Sequence, residues 1–163
     1  MAPSEPSRII DQLVRAHAGD PWHGSPVVAV LKGVTAEQAA QRPPNGAHSI
    51  WELVRHMTGW RNEVAARILE KAAGEPDGGD YPAIGKPTPE RWTAALGALG
   101  AAHRRLVDVT RGLSDEQLLR PTKDRRTDQS GTGATAYELL HGIVQHDAYH
   151  AGQIAILKRI LGF

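Results

Sequence analysis

The run His146-Asp147-Ala148-Tyr149-His150-Ala151-Gly152-Gln153-Ile154 lies inside a helix-favouring stretch from about Thr135 to Leu161, which opens on a capping box of Thr135 and Glu138. On an α-helix each residue advances about 100°, so positions four apart share a face, with β-carbons about 6 Å apart. His146 and His150 are such a pair, and two imidazoles placed this way can converge on one ion. His141 is on another face, about 140° from His146 and about 180° from His150, which makes it a packing or hydrogen-bonding histidine.

A third histidine comes from a separate helical stretch. Ser49-Ile50-Trp51-Glu52-Leu53-Val54-Arg55-His56 opens with a Ser-x-x-Glu capping box and shows helical apolar spacing through Ile50, Leu53, Val54 and Met57. Bundles build metal sites from side chains that project inward on facing helices. Three neutral imidazoles suit zinc or nickel and leave at least one coordination position for water or substrate. A closed structural site more often has four protein ligands, and this chain has no cysteine to complete one.

The remaining helices are predicted from start and stop signals. The first begins near Ser4 with Ile9, Ile10, Leu13 and Val14 as its apolar stripe and is interrupted at Gly19 to Pro26; helical spacing resumes over Val27 to Leu31, which makes one broken or kinked element or two short helices. Thr35 with Gln38 caps a short helical turn that Pro43-Pro44 stops. The second long helix runs from about Ser49 to Ala73. A Gly/Pro-rich loop follows up to Pro87, long enough to cover about 50 Å against about 37 Å for the preceding helix. Thr88-Pro89-Glu90 supplies the cap of a third long helix to about Arg111. Ser114 opens another short piece, and Leu119 to Gly133 is polar and turn-rich.

Length and composition narrow the function. At 163 residues the chain is expected to form a single domain, 1–163. A net charge of +1, from 19 basic and 18 acidic residues, gives no field to recruit nucleic acid or an anionic membrane, and Lys123-Asp124-Arg125-Arg126 is read as a solvated turn. With no cysteine, disulfides, zinc fingers and a protein thiol nucleophile are excluded, so any reacting thiol must arrive as substrate. There is no signal-like start and no run of 18 apolar residues, so the expected location is the cytoplasm, with no membrane partner.

In Ala47-His48-Ser49-Ile50-Trp51-Glu52 leading into His56, and in the block from His146 to Ile154, the sequence resembles the DinB-like (DinB/YfiT-like) family of metalloenzymes. The resemblance implies an all-α, up-down-down-up four-helix bundle with long crossover loops and short extra helical turns. It implies one divalent ion per chain, usually zinc or nickel, held by His56, His146 and His150. It also implies a homodimer acting on a small-molecule substrate. Because the family includes transferases and isomerases that use low-molecular-weight thiols, a thiol-dependent S-transferase is the leading function. A metal-hydroxide hydrolase and a non-catalytic metal or small-ligand binding protein remain as alternatives.

Around the triad, Gln153 lies one turn beyond His150 and Glu52 one turn before His56, so each is a candidate acceptor to fix a ligand tautomer, although Glu52 also serves its capping box. Tyr149, three after His146, and Trp60, four after His56, are candidate pocket residues; Trp51 and Trp92 are expected in the core. His23, in the break after the first helix, is a candidate for lining the pocket. His17 and His103 are expected to be exposed, and Asp147, about 100° off the ligand face, is compatible with either a supporting role or a solvated charge.

Overall fold

The start signals become helix N-termini. In the computed structural model, which describes residues 3–44, 46–69, 74–122 and 133–163, capping boxes form at Thr35 with Gln38, Ser49 with Glu52, Ser114 with Gln117 and Thr135 with Glu138. Each closes backbone N–H groups that a helix start leaves open. Among the described residues the helices are α1 (Glu5–Ala18), α2 (Val27–Leu31), α3 (Ala36–Ala40), α4 (Ile50–Ile68), α5 (Pro89–Arg111), α6 (Asp115–Leu118) and α7 (Ala136–Leu161). The interrupted first element is two separate helices, α1 and α2, because Gly19 caps α1 and Pro26 starts α2. Helix α4 stops short of Ala73, with Leu69 as its C-cap. Positions 70–73 and the Lys123–Arg126 turn are outside the described residues.

Two apolar clusters give the helices their directions. One gathers Leu31 of α2, Leu53 and Met57 of α4, Trp92 and Leu99 of α5, and Ile154 and Leu157 of α7. The other gathers Ile9 and Leu13 of α1, Val64 of α4, Leu106 of α5, and Leu140 and Ile143 of α7. Helices α4 and α5 run from the first cluster to the second, whereas α1 and α7 run the opposite way. The result is an all-α four-helix bundle in the expected up-down-down-up order. Met57 and Ile154 are fully enclosed, and truncating such residues to Ala costs about 2–5 kcal/mol. Trp51 and Trp92 pack together in the core with ring centroids 5.1 Å apart, and the Trp92 indole N–H donates to the Val34 carbonyl at 2.8 Å.

Since α4 and α5 are parallel, the segment between them must travel back along the bundle. Gly59 on α4 permits its close approach: a Cβ there would stand 2.8 Å from the Pro76 ring. At the other end, Thr122 and Ala134 pair through their backbones, and a Cβ on Gly133 would meet the Thr122 carbonyl oxygen at 2.3 Å, so that crossing admits only glycine. Among the described residues no helix is long and apolar enough to cross a membrane.

Between the two apolar clusters lies a polar layer. Arg61 of α4 and Asp147 of α7 are both almost wholly buried there, close to His17 of α1 and His103 of α5. The three histidines singled out from sequence occupy the same level on α4 and α7.

Candidate metal centre

His56 projects from α4, and His146 and His150 from consecutive turns of α7. The antiparallel packing of these helices brings their rings together, with centroids 4.3 to 4.9 Å apart. The His146 Nε2 atom stands 2.9 Å from His56 Nε2 and 3.0 Å from His150 Nε2. His56 and His150 are buried and His146 is half-buried.

The outer ring nitrogens decide what the inner ones can do. His56 Nδ1 faces the Asp80 backbone carbonyl at 2.8 Å and Asp80 Oδ1 at 3.1 Å; both are acceptors, so Nδ1 carries the proton and Nε2 presents a lone pair. His150 Nδ1 donates to Gln153 Oε1 at 2.6 Å, with the same consequence at its Nε2. His146 has one remaining proton to place. On Nε2 it reaches only one of its two neighbours; on Nδ1 it is buried without a hydrogen-bond partner. Neither tautomer pairs all three inner nitrogens, and uncompensated buried polar groups are costly. A shared cation would use every lone pair. Two nitrogens each about 2.0–2.1 Å from one ion stand about 3 Å apart, so the donor set and its spacing fit a divalent metal.

Burial, followed by the neighbouring His150 and His56, holds the His146 pKa down to about 3, and burial lowers His150 despite the opposing bond to Gln153. Both imidazoles therefore remain neutral, the form that binds metals.

The loop before α5 contributes what the sequence pattern did not signal. Asp80 is the acceptor for His56, and the Trp60 indole N–H donates to Asp80 Oδ1 at 2.7 Å. Tyr81 stacks on His56 at 4.3 Å and on His48 at 3.5 Å, so it is clamped between two imidazoles. A loop residue has no periodicity to betray its partners, which is why neither was found from sequence. The other candidates are placed plainly. Gln153 holds His150. Glu52 is instead taken up by Ser49, through its backbone N–H and hydroxyl at 2.9 Å, and by an ion pair with Arg42. Trp60 lies edge-on to His56 at 6.3 Å and reaches the site through Asp80. Tyr149 is 64% exposed and meets His150 edgewise at 5.0 Å. His23 is exposed between α1 and α2. His141 packs against Tyr137 at 4.3 Å.

The exposure expected of His17 and His103 is corrected, and the open reading of Asp147 is decided. His103 is buried and His17 half-buried, with their rings stacked at 4.0 Å. Burial and the adjacent Arg61 hold His17 down to about 3 and His103 to about 4. Asp147 is no solvated charge: it is 1% exposed and receives Arg61 Nε at 3.3 Å and Nη2 at 2.8 Å. Burial raises the Asp147 carboxyl pKa while Arg61 opposes the rise. Arg61 Nη1 also donates to the Leu99 carbonyl at 3.2 Å and to His17 Nδ1 at 3.4 Å. A signal existed for each. His17 follows Leu13 by four, His103 follows Leu99 by four, Arg61 follows Met57 by four, and Asp147 follows Ile143 by four, so all stand on apolar stripes.

Three histidines gathered from two antiparallel helices, with two of them held by acceptors at their outer nitrogens, define a helical-bundle protein with a candidate site for a single metal ion. The family model of the DinB superfamily matches residues 23–154, most of the chain, and the chain belongs to that superfamily. No curated protein and no solved structure gives a significant match.

Proposed function

We propose that the chain binds one divalent metal ion, zinc or nickel, through His56, His146 and His150, and acts as a metal-dependent enzyme on a small-molecule substrate. The observation that carries this is the convergence of the Nε2 atoms of His56 and His150 on His146, with two of the three rings held by acceptors so that lone pairs outnumber protons. When bound, such an ion supplies Lewis-acid chemistry and lowers the pKa of a coordinating thiol or water. Gln153 and Asp80 orient their histidines, and the Tyr81 ring covers one face of His56.

Within this reading we favour thiol-dependent S-transfer. The chain has no cysteine, so the sulfur belongs to a low-molecular-weight cosubstrate. Hydrolysis would call for a general base, and the carboxylates beside the triad are engaged, Asp80 Oδ1 by Trp60 and His56, and Asp147 by Arg61. A single domain that forms a homodimer in the cytoplasm, without nucleic-acid or membrane partners, completes the proposal; its supports are the near-neutral charge and the family's habit of dimerising.

Elemental analysis of protein purified without metal-affinity steps is expected to give one metal per chain, and His146→Ala is expected to lose it. Unchanged metal content in that variant would defeat the assignment. For the chemistry, a cobalt-substituted sample is expected to gain a thiolate-to-metal charge-transfer band with a low-molecular-weight thiol. No band with any thiol, together with turnover of an ester or amide, would favour hydrolysis; metal without turnover of either kind would favour a binding protein.

A further inference from the structure

Among the described residues, three cavities on the bundle's surface differ in their relation to the triad. One of about 710 Å³ lies along α4 and α5 and carries both charge signs, among them Arg55, Glu63, Asp77, Arg91 and Arg105. Another, of about 580 Å³, is lined by α2 and α5 residues such as Val28, Leu31 and Leu96. No triad histidine lines these two or the third, and these two also lack Asp80, Tyr81 and Gln153 in their walls. The third, of about 360 Å³, is lined by Tyr81 and Gln153. These same two residues touch the triad, Tyr81 by stacking on His56 and Gln153 by its bond to His150.

The third cavity has a definite chemical character. Pro43 stands on the approach to α4, Leu53 on α4, and Ile156 and Ile160 on α7. No Asp, Glu, Lys or Arg lines it, and its size falls at the small end of ligand cavities, about 300–1,000 Å³. A charged ligand placed there would lose hydration with only the His48 imidazole, stacked on Tyr81, in the lining to meet an anion. Ile156 and Ile160 are each 59% exposed, two large apolar side chains on the open side of α7. An apolar wall left open on one side, with Tyr81 and Gln153 standing between it and the triad, suits a ligand that buries a hydrocarbon body against the isoleucines and turns its polar end toward these two residues and the histidines behind them.

We infer that this cavity is the substrate site, and that it takes an uncharged small molecule with a compact hydrocarbon body and a single sulfur or oxygen donor. The inference rests on the metal-enzyme reading for the role of the donor end; the recognition of the body depends only on the cavity. It narrows the proposed function, because a substrate carrying carboxylate, sulfonate or phosphate on its body is excluded from this position.

The test uses the full-length, metal-free protein and two probes that share a ring and differ in charge, benzyl alcohol and benzenesulfonate, followed by amide chemical shifts. Benzyl alcohol is expected to give saturable shifts at Leu53, Tyr81, Gln153 and Ile156, and benzenesulfonate to bind at least about tenfold more weakly. Ile156→Lys puts an ammonium on the cavity wall at an exposed position and is expected to weaken benzyl alcohol by about tenfold or more, with zinc stoichiometry unchanged. Ile160→Lys repeats the test should the first variant lose its helical spectrum. Equal binding of both probes, shifts confined to Val28, Leu31 and Leu96, or indifference to the lysine in a folded variant would overturn the inference. The two readings fail separately: a folded protein that binds benzyl alcohol here but takes up no zinc keeps the cavity and loses the metal, and the converse loses the cavity alone.

Discussion

Two polar clusters sit at mid-bundle, both drawn chiefly from α4 and α7, and they handle burial in opposite ways. On one side Arg61 and Asp147 make a two-pronged ion pair, with the Leu99 carbonyl and His17 taking further guanidinium N–H groups. The Arg61–Asp147 pair is complete within the protein, while the Nδ1 of the adjacent His103 is buried without a hydrogen-bond partner. On the other side His56, His146 and His150 use their outer nitrogens on Asp80 and Gln153 or leave them unpaired, and turn their inner nitrogens on one another. That cluster has more lone pairs facing inward than protons to share among them. The difference separates a structural polar layer from a candidate metal site: in the first, Arg61 and Asp147 meet each other's charge within the chain, and in the second the inner nitrogens have the donor set a cation would use.

The sharpest way to break the comparison is to remove half of the self-sufficient cluster. Arg61→Leu strands a buried carboxylate and is expected to cost about 3–5 kcal/mol in metal-free urea unfolding, while Arg61→Leu with Asp147→Leu should recover most of it. A double variant no more stable than Arg61→Leu would show that Asp147 is not stranded by loss of Arg61. The histidine cluster should behave conversely. Without metal, His146→Ala is expected to unfold close to wild type, whereas zinc at about a hundredfold over its Kd should stabilise wild type by about 2.7 kcal/mol and the variant by nearly nothing. Equal zinc stabilisation of both proteins in a melting experiment would erase the distinction.

Smaller changes test how the histidines are held. Gln153→Leu removes the acceptor of His150 Nδ1 and should weaken zinc about 10–100-fold by competition titration. Asp80→Ala should weaken it less, because the Asp80 backbone carbonyl, 2.8 Å from His56 Nδ1, survives the substitution. An Asp80 variant weaker than the Gln153 variant would mean that the carboxylate, not the carbonyl, sets the tautomer.

The smallest expected effect is on acid stability. His17 and His103 have folded pKa values of about 3 and about 4, below the ordinary 6.5, because burial and the facing Arg61 and Arg104 disfavour their charged forms. As pH falls the unfolded chain therefore binds protons first. Their contribution is intact above about pH 6.5 and is lost progressively from there down to about pH 4 for His103 and about pH 3 for His17. The variant His17→Gln with His103→Gln should show a shallower loss of stability from pH 7 to pH 5 than wild type in metal-free urea unfolding. Because burial also lowers the pKa values of His146 and His150, the difference between the proteins carries the result; parallel curves would return His17 and His103 to the surface.

Much of this molecule could be read along the chain because helices are local objects. Capping boxes at Ser49 and Thr135, Pro89 at a first helical position, and the four-residue step from His146 to His150 all act within one or two turns, and the bundle follows them closely. The exposure expected of His17 and His103, from their lack of ligand spacing, and the open reading of Asp147 have one physical resolution: each lies on an apolar stripe, and a polar residue can occupy such a stripe when a partner on another helix meets it. Asp80 and Tyr81 carried no local signal of any kind.

By itself, then, the sequence determined which residues form helices and which side chains share a face, since the period of 3.6 residues ties spacing to direction without reference to the rest of the chain. Only the tertiary structure decided that the His56 face would meet the His146 face, that Arg61 would find Asp147, and that a loop crossing Gly59 would bring an acceptor to His56. Those contacts join residues from 24 to 90 positions apart, and they depend on how helices pack and where a connection runs rather than on any pattern within a turn.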